Sequence, residues 1–118
     1  MALKLEDYGS QDERRTALRQ PTLPMAVEIN HSQLGEMTAV MIDISRRGVR
    51  LRTGTSFPCG SEISVRPPSK FNLPTLRGRI VRITVHQIHG EEMFDMGIQF
   101  PVAEEVRHQW FIKLRDAA

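Results

Sequence analysis

The sequence predicts an all-β fold of six short antiparallel strands with one helix at the C-terminal end. Three observations carry this. Apolar and polar residues alternate over most of residues 23–100, clusters of Gly, Pro, Asn and Ser interrupt the alternation every few residues, and after Pro101 the apolar spacing changes from two to four. Short strands at such spacing argue an antiparallel barrel or sandwich. A length of 118 residues with 40% hydrophobic and 25% charged side chains fits one ordinary globular domain.

Residues 1–20 are charged and weakly patterned, with Asp12, Glu13, Arg14, Arg15 and Arg19 in a short span, and Pro21 and Pro24 stop any helix. They read as a flexible arm that orders on demand, and residues 21–118 as the body of the domain. Leu23, Met25, Val27 and Ile29 then alternate with polar or small residues in a half-buried strand. Residues 30–35 turn the chain into a second strand, 36–43, which is apolar on both faces through Met37, Ala39 and Met41 on one and Val40 and Ile42 on the other. A tight connection over 44–48 leads to residues 49–52, with Val49 and Leu51 inward and Arg50 and Arg52 outward.

A loop with Gly54, Pro58 and Gly60 precedes a short strand carrying Ile63 and Val65, which Pro67 and Pro68 end. The longest strand runs over 76–88. Its apolar phase shifts from even positions (Leu76, Ile80) to odd ones (Val81, Ile83, Val85), which predicts a bulge near Ile80 that Gly78 would ease. After a turn at 89–92, Phe94, Met96, Ile98 and Phe100 point inward and Asp95, Gly97 and Gln99 outward. Pro101 suits a first helical position, Glu104 and Glu105 the first turn, and Lys113 and Arg115 the last. Val102, Val106, Trp110 and Leu114 form the stripe that docks this helix on the strands.

Charge and composition exclude several function classes. The formal net charge is only +2, too little for a protein that coats nucleic acid by bulk charge. Within it the basic residues are 13 Arg against 3 Lys. Arg suits phosphates and guanine edges, although a GC-rich genome would also favour it. Cys59 is the single cysteine, which excludes an internal disulfide and a cysteine zinc cage. Neither a signal-type apolar stretch nor a bilayer-spanning run is present, so a cytoplasmic protein is expected.

The most informative pattern combines the arm with the tight connection. An Arg pair spaced four apart is expected by chance about 1.4 times at this Arg content, and indeed Arg15/Arg19 has a counterpart in Arg46/Arg50. The spacing Asp-x-Ser-x-x-Gly at Asp43, Ser45 and Gly48 is rarer, with about 0.02 chance occurrences. Without the arm, an Asx-type turn in which Asp and Ser cap backbone amides would explain it.

Together, Arg15-Thr-Ala-Leu-Arg19 and Asp43-Ile-Ser45-Arg-Arg-Gly48 resemble the PilZ domain family, as do the Gly97-Ile98-Gln99-Phe100 strand and the C-terminal helix. The resemblance spans about residues 12–116. It implies a six-stranded barrel that binds the bacterial second messenger cyclic di-GMP without doing chemistry on it. No further cofactor is implied. The residues suit such a ligand: a guanidinium forks onto guanine O6 and N7, stacks on a base or pairs with a phosphate, and a carboxylate at Asp43 accepts from the guanine Watson–Crick edge. Ser45 would brace the turn or donate to the ligand, and Gly48 would permit a positive φ and close approach. Arg14 resembles the family variant that favours an intercalated ligand dimer. Arm closure would then present a new surface to a downstream protein partner. Arg46, Arg47 and Arg50 flank the turn, where they add attraction or simply solvate the strands.

The rival readings are a PilZ-like assembly adaptor that binds no nucleotide, and a small RNA-binding barrel. The second would want exposed aromatics, and this chain has few. No DNA or RNA partner is therefore expected, and a homodimer is left open. No catalytic set can be assembled. Of the four His, His86 and His89 fall on opposite faces and His31 and His108 are distant in sequence, so no metal site is expected. Glu91, Glu92 and Asp95 read as solvent charges and Cys59 as a loop thiol. Trp110 and Phe111 are adjacent, which leaves one of them for a partner.

Overall fold

The computed structural model describes residues 23–116. The arm with Arg14, Arg15 and Arg19 lies outside them. Six strands, β1 (Met25–His31), β2 (Gly35–Ile44), β3 (Gly48–Thr53), β4 (Glu62–Arg66), β5 (Leu76–Ile88) and β6 (Glu91–Gln99), are followed by a helix, α1 (Glu104–Asp116). Every strand pairing is antiparallel, and the order β1-β2-β3-β6-β5-β4 closes a barrel. Closure leaves every strand with two neighbours in the barrel, which resolves the sequence's choice between barrel and sandwich.

Alternation fills the interior. Val27 and Ile29 from β1, Ala39 and Met41 from β2, Leu51 from β3, Ile63 and Val65 from β4, Ile80 from β5 and Met96 and Ile98 from β6 are buried together. The helix stripe closes one side of this core: Trp110 and Leu114 are buried, with Val102 and Val106 packed against the cluster. Trp110 meets Phe100 edge to face at 5.1 Å and donates its Nε1 hydrogen to the Pro74 carbonyl at 3.0 Å. An apolar ring with a satisfied polar handle is well suited to pin a helix to a barrel. Phe111 is half-buried against the core, so neither aromatic is left fully to solvent.

Two irregularities position the outer surface. The register shifts between Met41 and Asp43 in β2 and between Ile80 and Arg82 in β5. The second is the bulge that the change of phase predicts. Past it, Ile83 opposes Met96 and packs on the core, whereas Val81, the extra residue, is 45% exposed on the outside. Val85 is also exposed, because beyond the Thr53–Phe94 pair only β5 and β6 continue, as a two-stranded ribbon. Phe94 at the root of that ribbon is only half-buried.

Three further expectations are corrected. Pro101 is not a helical residue: Val102 donates back to the Phe100 carbonyl at 2.9 Å, which turns the chain before the helix starts at Glu104. Gly78 is a packing residue, since an added Cβ would stand 2.5 Å from Ile98 Cγ2 and 2.8 Å from Phe100 Cδ1. Asp95 is no solvent charge. It is 4% exposed and held by Arg52, whose side chain lies on the outer face but is itself only 13% exposed.

Candidate functional site

The β2–β3 turn is built from its own polar side chains. Ser45 N–H donates to the Gly48 carbonyl at 2.9 Å, Ser45 Oγ–H to the same oxygen at 3.4 Å, and Arg47 N–H donates to Ser45 Oγ at 3.3 Å. Asp43 Oδ1 accepts from the Ile44 amide at 2.9 Å. Asp43 and Ser45 thus brace the backbone as a turn requires. Only one carboxylate oxygen is used in this way. Oδ2 faces Arg50 Nη2 at 3.7 Å, with the two side chains 48% and 54% exposed, so the group keeps acceptor capacity for a ligand.

Gly48 has a different reason from the expected one. Its φ is not in the left-handed region, which among described glycines holds Gly35, Gly60 and Gly90. An added Cβ would instead stand 1.8 Å from the Ile98 carbonyl oxygen, so β3 and β6 meet too closely for any side chain. Gly48 is required by the barrel.

The pairings carry the turn's surroundings across the barrel. Asp43 opposes Arg50, Arg50 opposes Gly97, and Gly97 opposes Arg82, while one step along Gly48 opposes Gln99 and Gln99 opposes Arg79. Gly97 has no steric obligation, because a Cβ there would meet nothing nearer than Arg82 Cβ at 3.6 Å. Its bareness leaves the strand backbone open. A concavity of about 190 Å³ lies over this floor, lined by Asp43, Ser45, Arg47, Arg50, Val81 and Gly97 among others. Arg46, the remaining flanking arginine, does not line it.

Val81 and Gln99 were missed in the sequence. The signal for Val81 was available, since a bulge residue falls out of the alternation and points outward. Gln99 could be found only by knowing that it pairs with Gly48.

The other candidates fall elsewhere. His31 is buried, its Nδ1 accepting from the Gln33 and Leu34 amides at 3.1 and 3.2 Å, so it serves the β1–β2 turn. His86 Nε2 is 3.0 Å from Asp95 Oδ2. Cys59 is an exposed thiol 3.8 Å from the Ile80 carbonyl. Among the described residues no group of three His, Cys, Asp or Glu side chains could share a metal ion, and no helix is long and apolar enough to cross a membrane.

Solved structures with the same fold are known. MrkH of K. pneumonia superposes with a TM-score of 0.60 at 13% identity in its apo state, and 0.62 at 14% in a second crystal form. PlzA of Borreliella burgdorferi, in complex with c-di-GMP, gives 0.50 at 16%. These alignments cover 76%, 78% and 93% of this chain but only 46%, 44% and 55% of the other proteins, so the chain spans about half of their length. At such identities the likeness concerns the fold. No curated protein matches the sequence. The PilZ domain profile, by contrast, matches residues 13–114, which takes in Arg14, Arg15 and Arg19 of the arm, all six strands and most of α1. The chain therefore belongs to the PilZ domain family, non-catalytic receptor domains for cyclic di-GMP.

Proposed function

We propose that this chain is itself a cyclic di-GMP receptor, gripping the dinucleotide between the arm and the β2–β3 turn and passing the signal to a protein partner. The observation that carries the reading is the half-exposed Asp43 carboxylate, beside Arg47 and Arg50, over the bare floor at Gly97. Asp43 Oδ2 accepts from the guanine Watson–Crick edge. Arg15 and Arg19 fork onto phosphate and base, each good bidentate base contact contributing about 1–3 kcal/mol. Arg14 adds a further contact and favours a ligand dimer. Ser45 holds the turn in shape, and Gly48 lets β3 approach β6 so that the floor exists.

Closing the arm over the ligand orders a segment and changes the surface that a partner meets. The PlzA protein, which is in complex with c-di-GMP and shares this fold over 55% of its chain, supports this reading. Calorimetric titration of the whole chain with cyclic di-GMP tests it, with stoichiometry separating a single ligand from a dimer. Binding heat together with a rise in melting temperature is expected. Neither signal at large ligand excess would leave the adaptor reading in its place.

A further inference from the structure

The concavity at the turn holds about 190 Å³, below the roughly 300–1,000 Å³ of small-molecule sites. It does not end at the turn. Arg47, Val81 and Gln99 also line a second concavity of about 750 Å³ that runs between β5, the segment after β6 and α1. Arg77 and Arg79 from β5 and Arg107 from α1 complete its basic lining.

The charge of this pocket is poorly neutralised from within. Among the described residues, the one carboxylate that lines it, Glu62, reaches Arg79 at 3.9 Å, and both side chains are more than half exposed. A pair so hydrated leaves the guanidinium free to exchange partners. Arg107 is the stronger sign. Its Nε is buried and has no hydrogen-bond partner. A desolvated guanidinium N–H without an acceptor is costly to keep, so it calls for one, whether water or an anion.

We propose that this concavity is a phosphate-ester site, in which Arg107 and Arg79 fork onto the anion from opposite walls and Arg47 joins it to the turn. Converging guanidinium forks suit a tetrahedral phosphate, which offers acceptors in several directions, better than a planar carboxylate, whose acceptor sites lie in one plane. Val81 and Phe100 give the organic part of the ester an apolar contact. The anion is either the far phosphodiester of the dinucleotide seated at the turn or the phosphate of a separate molecule. The first source rests on the proposed function, and the second does not.

Titration of the whole chain with cyclic di-GMP and, separately, with inorganic pyrophosphate tests the proposal in wild type, Arg107→Ala, Arg107→Lys and Arg79→Ala. Melting temperatures report folding, and Arg79→Ala guards against a helix disturbed at Arg107, because Arg79 is 62% exposed. The expected result is a loss of affinity of about tenfold or more in both alanine variants, with a smaller loss in Arg107→Lys, which keeps charge without the fork. Loss for cyclic di-GMP assigns the site to that ligand. Loss for pyrophosphate with cyclic di-GMP affinity unchanged assigns it to a separate phosphate. Should wild type not bind cyclic di-GMP, the receptor reading fails and the pyrophosphate arm still decides this one. Equal affinities of wild type and both alanine variants for both probes overturn it.

Discussion

The Arg52 guanidinium forks onto the Asp95 carboxylate across the β3–β6 pairing, Nε to Oδ1 and Nη2 to Oδ2, the latter at 2.7 Å. Bidentate geometry is the strong form of this contact. His86 approaches the same carboxylate from β5, so three strands share one buried charge on the outer side of the barrel.

Arg52→Ala should therefore destabilise the fold by about 3 kcal/mol, since removing one partner leaves a buried carboxylate uncompensated. Asp95→Asn should cost less, because it removes the charge and keeps an acceptor. Urea unfolding of the two variants measures both, and a loss under about 1 kcal/mol for Arg52→Ala would show that water or His86 replaces the guanidinium.

This pair also shows where reading the sequence stops. Strand positions followed from alternation, and β5 was legible to the residue, bulge included. Alternation assigns faces, however, and a polar face is assumed to be wet. Whether Asp95 meets solvent depends on Arg52, which stands 43 positions away. The candidate site divides in the same way. Asp43, Ser45 and Gly48 were visible as a pattern because a turn is local, whereas Arg47, Arg79 and Arg107 line one concavity only once the barrel has closed and α1 has docked.

Gly48 and Gly97 should respond oppositely to alanine. At Gly48 the Ile98 carbonyl must move from 1.8 Å, so β3 and β6 separate, and a cost of at least about 2 kcal/mol is expected. At Gly97 the contacts of 3.6 and 3.9 Å are ordinary, so Gly97→Ala should fold as well as wild type while weakening cyclic di-GMP. Thermal unfolding beside ligand titration tests the contrast. A destabilised Gly97→Ala, or a Gly48→Ala of wild-type stability, would contradict the geometry.

The docking of α1 rests on Trp110 in two separable ways. Trp110→Phe keeps most of the apolar contact but leaves the Pro74 carbonyl without its donor, at a cost of about 1 kcal/mol. Trp110→Ala also removes the ring from a side chain 1% exposed, which typically costs about 3–5 kcal/mol. Chemical unfolding followed by circular dichroism should rank wild type, Phe and Ala in that order. Equal losses would mean that the hydrogen bond alone holds the helix.

Asp43 allows recognition of the base to be separated from attraction by charge. A carboxylate repels a phosphate, so if it only tuned the field, its removal would strengthen binding of every anion. If it accepts from a guanine edge, removal weakens the guanine ligand alone. Asp43→Ala should accordingly bind cyclic di-GMP about 10- to 100-fold more weakly, the loss expected for one good base contact, while pyrophosphate binds at least as well as to wild type. Stability should change by under about 1 kcal/mol, because the Arg50 contact is long and exposed. Raising the salt should weaken both ligands in both proteins, since the arginines that attract them are untouched. A parallel loss of both anions in Asp43→Ala would instead mean that the carboxylate acts by shaping the turn.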